Sequence, residues 1–408
     1  MPFAFSGVPR EDLLFCRRSG PAGRQMDVRN GNKAVRIGIY TQPLRLNYGG
    51  ILQAWALQTL LLRKGFDAVT LDTVPDCRLP PWKKPYSYGK RVARKLLGGG
   101  GYIFFEDVWN RSYGEASKNI RPFVETRIRR RVVRNVREIG EDEFDVLLAG
   151  SDQVWRPCYN SGRFFSIGHS FFDFARDWNV KRVAYAASFG TDDWEFTPRQ
   201  TRKCAALAKK FVAVGVREKS GVALCREYLG VNAVQVPDPT LLLERADYEA
   251  LIEASGNTVR PEGNLLCYFM DDSAQSGELV RAAAVRRGFN PFRVPMWHGR
   301  VEERVCQPSV EQWLRYFRDA EAVATDSFHA CVFSLIFGKP FVVLGNAARG
   351  LSRYESLLGE LGFEGCLVST PEEGVDALHR GVEFQDGRIS RWLSEKRRLA
   401  DAFLGVLA

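Results

Sequence analysis

The chain has 408 residues, a formal net charge of +10, an apolar fraction of 45% and an aromatic fraction of 12%. That length has room for two or three domains with sizeable cores, and the composition is globular rather than fibrous or disordered. No apolar run approaches the ~18 residues of a helical membrane span, so none is expected, and the positive balance points to acidic partners such as phosphorylated metabolites, lipid pyrophosphates, nucleic acid or an anionic membrane surface.

Residues 1–34 read as a flexible, polar, Gly- and Arg-rich N-terminal extension, without the basic and apolar regions of a signal peptide. Short β-branched runs then alternate with helical patterns. Strands are expected at Arg36–Thr41, Ala68–Leu71, Asp145–Ala149, Arg182–Ala187, Val212–Val216 and Val234–Val236. A second set is expected at Leu265–Phe269, Phe292–Pro295, Ala322–Thr325, Phe341–Leu344 and Cys366–Val368. Helices are expected between them, at Ile51–Arg63, Pro198–Lys210, Lys219–Tyr228, Ser276–Arg287, Val310–Phe317 and Val332–Phe337.

This alternation implies parallel sheets covered on both faces, an α/β class. Gly256, Asn257, Pro261 and Glu262 mark a break within 244–263. The economical architecture is two Rossmann-like domains facing a cleft, at 35–245 and 246–385, followed by a C-terminal helix within 386–408.

The nine cysteines (Cys16, Cys77, Cys158, Cys204, Cys225, Cys267, Cys306, Cys331 and Cys366) form no CxxC pair. They read as reduced thiols in a cytoplasm, and no metal site is expected. The segment Arg121–Arg137 interleaves six arginines from Arg127 onward with Ile128, Val132, Val133 and Val136. It reads as a basic amphipathic helix or strand pair, compatible with peripheral membrane contact, or as a solvated face. No nucleic-acid motif accompanies the charge, so no such partner is expected.

Several turns follow expected strands, where open α/β sheets bind ligands. Asn47, Tyr48, Gly49 and Gln53 open the first helix, where glycines admit a close backbone approach and free amides suit an anion; a plain connection reads equally well. At Ser151-Asp152, Asp152 suits a sugar hydroxyl or a base role, or a helix cap, and Trp155 suits a sugar ring or the core. Arg217 suits bidentate carboxylate or phosphate binding, or an ion pair with Glu218 or another acid. Asp238 reads as structural, in a rigid Pro-Asp-Pro turn. Arg349 and Arg353 add positive charge to the cleft or belong to a solvated loop.

The most informative turn is Thr325-Asp326-Ser327-Phe328-His329-Ala330-Cys331, between a buried strand and an apolar helix in a chain with only 4 histidines.

In this order, NYGGILQAWALQ, FDVLLAGSDQVW, RVAYAASFG, VGVRE, DPTLLL and TDSFHACVFSLIFGKPFV resemble the polysaccharide pyruvyl transferase family across roughly residues 36–365. The resemblance implies a fold like that of GT-B glycosyltransferases, with an acceptor-side first domain and a donor-side second one. It also implies a pyruvyltransferase that uses phosphoenolpyruvate to form a pyruvate ketal on a saccharide or lipid-linked saccharide, with no cofactor. The family pattern has arginine where this chain has Ser327, which shifts the phosphate-binding charge to Arg349 or Arg353.

His329 is then the expected general acid or base, and Asp152 a second catalytic group. Ser327 and the amides of its helix would hold phosphate oxygens. Asn47, Tyr48, Gly49, Gln53, Ser151, Trp155 and Arg217 complete the expected substrate contacts. Work on a cell-surface polysaccharide or its precursor would be cytoplasmic, at the inner face of the membrane if the acceptor is lipid-linked. A nucleotide-sugar glycosyltransferase of the same fold, or a noncatalytic carbohydrate-binding protein of a polysaccharide assembly system, would share these features.

Overall fold

A computed structural model describes residues 34–73, 79–160, 166–271, 273–346, 350–380 and 387–408. The extension expected over 1–34 lies outside them except for Ala34, and so does Arg349. From Val35 onward the described chain forms one compact unit.

Twelve strands are described: β1 (Arg36–Tyr40), β2 (Asp67–Thr73), β3 (Arg130–Val133), β4 (Val146–Ala149), β5 (Lys181–Ala187), β6 (Ala213–Val216), β7 (Val234–Gln235), β8 (Leu265–Tyr268), β9 (Pro291–Arg293), β10 (Ala322–Thr325), β11 (Phe341–Leu344) and β12 (Leu367–Val368). The first seven form a parallel sheet in the order 3-2-1-4-5-6-7. This is the Rossmann order, extended by one strand. The last five form a second parallel sheet in the order 12-11-10-8-9. Renumbered from its own first strand, that is the flavodoxin-like 2-1-3-4-5 order read backward.

The helices are α1 (Tyr48–Arg63), α2 (Lys84–Leu96), α3 (Phe105–Ala116), α4 (Arg121–Arg127), α5 (Pro198–Ala208), α6 (Lys219–Leu224), α7 (Arg245–Ala254), α8 (Ala274–Arg287), α9 (Val310–Asp319), α10 (Phe328–Phe337), α11 (Ser352–Leu361), α12 (Pro371–Arg380) and α13 (Arg388–Leu404). Two doubly wound α/β halves are the expected GT-B-like architecture.

Strands buried on both faces explain why the expected strands fall where they do: β4, β8, β10 and β11 are buried at every position, as parallel sheets require. The basic segment becomes α4, a short link and β3. Three of its arginines pair with neighbouring acids: Arg129 with Asp67, Arg130 with Asp72 and Arg131 with Glu143.

Helix α7 occupies the start of the stretch read as a break. Glu244 and Asp247 cap it reciprocally, and Tyr248 anchors it in the core. One apolar core joins both halves, with Tyr48 of α1 stacked on Trp313 of α9 at 5.2 Å. Helix α13 also touches both halves. Its Trp392 packs on the shared core, while Ala400 and Leu404 join the core of the first sheet.

Candidate active site

Helix α10 begins at Phe328, four residues earlier than its apolar run suggests, so His329 lies in its first turn. The helix is buried at every position, and an all-round buried helix gives no amphipathic signal of its start. The turn before it is fixed by local bonds. Asp326 accepts from the amides of Met270 (2.6 Å) and Asp271 (3.0 Å) beyond β8. Thr325 accepts from the amide of Ser327 at 2.9 Å. Ser327 occupies the N-cap position, yet its side chain makes no capping bond. A serine there ordinarily accepts from the second or third helical amide, so this helix start keeps its hydroxyl and first-turn amides available to an anion.

The His329 side chain is 7% exposed, and its Nε2 lies 3.4 Å from Oδ2 of Asp238. That approach is an electrostatic contact rather than an aligned hydrogen bond, because Nε2 has no partner of proper geometry. The ring's other side meets α1. A Cβ added to Gly49 would sit 2.1 Å from Nδ1 of His329. The glycine therefore admits the histidine, a close approach by protein rather than by a ligand.

Asp238 is the hub. Its Oδ1 accepts from the amide and hydroxyl of Thr240, at 3.0 and 2.7 Å. Its Oδ2 accepts from Arg217 at 2.7 Å. Burial works against its charge, but His329, Arg217 and the Thr240 bond outweigh burial and hold the carboxyl well below the usual carboxylate range. Arg217 also reaches Asp152 at 3.3 Å, and its guanidinium lies 4.5 Å from the centre of the Phe328 ring. Glu218 accepts from the amides of Phe189 (2.6 Å) and Gly190 (3.1 Å).

A carboxyl whose folded value is depressed contributes stability above its unfolded value of about 3.9, and loses it as pH falls below that. Asp238→Asn is expected to cost about 3 kcal/mol or more at about pH 7, because Arg217 loses a buried partner. It is also expected to flatten the acid limb of the stability curve. Urea unfolding at about pH 7 and about pH 3 checks both points.

Several expected site residues take other places. Tyr48 is fully buried, and its hydroxyl donates to the Pro308 carbonyl at 2.8 Å. Trp155 is also fully buried, stacked on Phe171 at 4.6 Å, so it is a core residue and offers no face to a sugar. Gln53 and Ser151 bind each other, and Gln53 also donates to Thr41 at 2.9 Å. These bonds brace the loops after β1 and β4. Asn47 is exposed and caps α1 through the Gly50 amide.

Asp152 adopts a left-handed backbone (φ 68°) and turns its carboxylate to Arg217 rather than to open space or a helix start. Arg217 is thus an internal cation with two acidic partners, not an open anion clamp. Arg353 lies in the first turn of α11, not in a solvated loop. It is buried, which lowers its pKa, with its guanidinium 5.6 Å from the Phe328 ring centre.

Asp238 was legible only as a rigid turn, and its link to His329 was not. The sequence reading also missed a cavity of about 500 Å³ at the carboxyl ends of β1–β3. Its lining includes Arg45, Arg121, Arg130, Arg134, Trp109 and Tyr113. Trp109 stacks on Tyr113 at 5.1 Å, and Trp297 from the second half meets both edge-on. Among the described residues, Arg45, Arg121 and Arg134 have no carboxylate partner. His329 does not line this cavity. Yet Arg45 is only four residues from Gly49, which caps their Cα separation at ~14 Å.

Two doubly wound halves, with a carboxylate-backed histidine where they meet, form a GT-B-like fold. The chain belongs to the polysaccharide pyruvyl transferase family, whose profile matches residues 47–347. No curated protein matches it. Similar solved structures include the UDP-GlcNAc 2-epimerase of Methanocaldococcus jannaschii in complex with UDP-GlcNAc and UDP (11% identity, TM-score 0.45, 91% of this chain and 99% of that one). The UDP-GlcNAc 2-epimerase of Neisseria meningitidis bound to UDP-GlcNAc (8%, 0.45, 90% and 99%) is another. A third is Medicago truncatula UGT71G1 complexed with UDP-glucose (10%, 0.41, 90% and 94%).

Proposed function

We propose that the protein transfers pyruvyl from phosphoenolpyruvate to two hydroxyls of a saccharide, forming a pyruvate ketal on a cell-surface polysaccharide or its precursor. The observation that carries this reading is the start of α10. There an unused Ser327 hydroxyl and first-turn amides adjoin His329, and Arg353 lies beside Phe328. A doubly anionic donor suits that combination of amides and buried cation.

In the reaction, His329 delivers a proton to the methylene carbon of the donor, which becomes a methyl group as positive character develops at C2. One saccharide hydroxyl adds to C2, the bond to phosphate breaks, and the second hydroxyl closes the ring. The two hydroxyl protons balance the one taken up at carbon and the one carried off with phosphate. Asp238 orients the imidazole, and Thr240 and Arg217, itself paired with Asp152, hold Asp238 in place. The cavity beside β1–β3 is the acceptor site in this reading, with Trp109 and Tyr113 against the sugar and arginines toward any attached phosphate.

In this reading the reaction takes place in the cytoplasm, at the membrane's inner face for a lipid-linked acceptor. Free thiols at all seven described cysteines are consistent with that compartment. Calorimetric titration with phosphoenolpyruvate is expected to give a dissociation constant in the micromolar to millimolar range, weakened at least about tenfold by Arg353→Ala. Absence of binding, with a uridine diphosphate sugar bound instead, would replace this reading with nucleotide-sugar chemistry.

A further inference from the structure

Helix α2 carries its apolar side outward. No residue from Pro81 to Leu96 is buried. Trp82, Tyr86, Gly89, Ala93 and Leu96 follow at spacings of four, three, four and three, and therefore share one face. Trp82, Tyr86, Leu96 and Leu97 are 72%, 76%, 83% and 88% exposed.

The opposite face holds the half-buried Ser87, Tyr88 and Arg91 and rests on the start of α3. Arg91 grips Glu106 with two bonds of 2.6 Å and the Ile103 carbonyl with one of 2.9 Å. Tyr88 packs edge-on against Phe104 at 5.0 Å. The helix is thus held by its polar side, the reverse of an ordinary surface helix.

The charge on α2 itself has one sign, and the acids Glu106 and Asp107 follow only in the first turn of α3. From Leu79 to Phe105 the sequence has six Lys or Arg and no Asp or Glu. Arg91 and Lys84 face Glu106, which leaves Lys83, Lys90, Arg94 and Lys95 without a carboxylate partner among the described residues. Phe104 and Phe105, at the head of α3, are also exposed, at 54% and 43%. An outward stripe of Trp, Tyr and Leu flanked by lysines suits the boundary between headgroups and acyl chains of an anionic bilayer. The stripe enters the apolar layer, and the ammonium groups reach back to the phosphates.

We propose that α2 and the adjoining head of α3 dock the protein on an anionic lipid surface. This places membrane contact on 81–105 rather than on the arginine-rich segment 121–137, and it does not depend on the transfer reaction. Helix α3 continues from this surface to Trp109 and Tyr113, so the docked face borders the cavity of about 500 Å³.

Co-sedimentation of the full chain with vesicles tests the proposal. The protein is expected to pellet with vesicles of equal parts phosphatidylcholine and phosphatidylglycerol, and to stay in solution with phosphatidylcholine alone. Lys90→Glu with Arg94→Glu, and separately Tyr86→Asp with Leu96→Asp, are each expected to weaken partitioning at least about tenfold, with circular dichroism unchanged. All four side chains are at the surface, so the fold does not need them. Failure to pellet, equal pelleting with neutral vesicles, or unaltered binding by both variants would overturn the proposal. So would a lipid-free dimer that Leu96→Asp dissociates, which would assign the face to a second copy of the chain.

Discussion

His329→Ala is expected to lower phosphate release from phosphoenolpyruvate by about 10²–10⁴-fold, the usual worth of a positioned proton donor. The fold should persist, because the side chain contributes one electrostatic contact to Asp238 and fills one niche against α1. A phosphate-release assay beside a far-ultraviolet circular dichroism spectrum separates the two effects. Turnover at the wild-type rate would remove His329 from the chemistry. His329→Gln keeps most of the volume and a hydrogen-bonding end but does not titrate near neutrality, so it is expected to stay as inactive as the alanine variant.

The second large effect comes from a residue with no side chain. Gly49→Ala would place a carbon 2.1 Å from Nδ1 of His329. The imidazole has little room to retreat, because Asp238 and its buried bonds stand on the other side. The expected cost is about 1–3 kcal/mol of stability from overpacking. Activity is expected to fall about 10²-fold, the effect of an ångström-scale displacement of a reacting group. In a His329→Ala background the same substitution meets an empty niche, so the two stability losses should fall short of additive. Thermal melts of the single and double variants provide that cycle, and strict additivity would refute the contact.

Strand positions were legible because a parallel sheet buried on both faces leaves continuous apolar runs, as at Val146–Ala149 and Phe341–Leu344. The histidine turn was legible for a related reason: a polar cluster between two buried elements has few places to go. The start of α10 was not, since Ala330 and Cys331 are as buried as Val332 and nothing in their polarity marks the first turn.

Asp238 escaped because its partners are remote in the sequence. Arg217 lies 21 residues away, and His329 comes from the other sheet. Trp155 was ambiguous because a large aromatic beside a strand end serves a sugar or a core equally well, and only packing against Phe171 decides. Strand β3 was left open between helix and strand by its arginines, which ladder with β2 while their heads pair with the buried Asp72 and with Glu143.

The chain passes between the two sheets twice, once through the segment leading into α7 and once through α13. Both passages run past the Asp238 turn. Arg397 of α13 pairs with Glu244 and donates to the Leu243 carbonyl at 2.8 Å, only a few residues beyond Thr240. With the apolar core that joins the halves, these two tethers clamp the junction around Asp238, so the spacing between Asp238 and His329 is fixed from three directions at once.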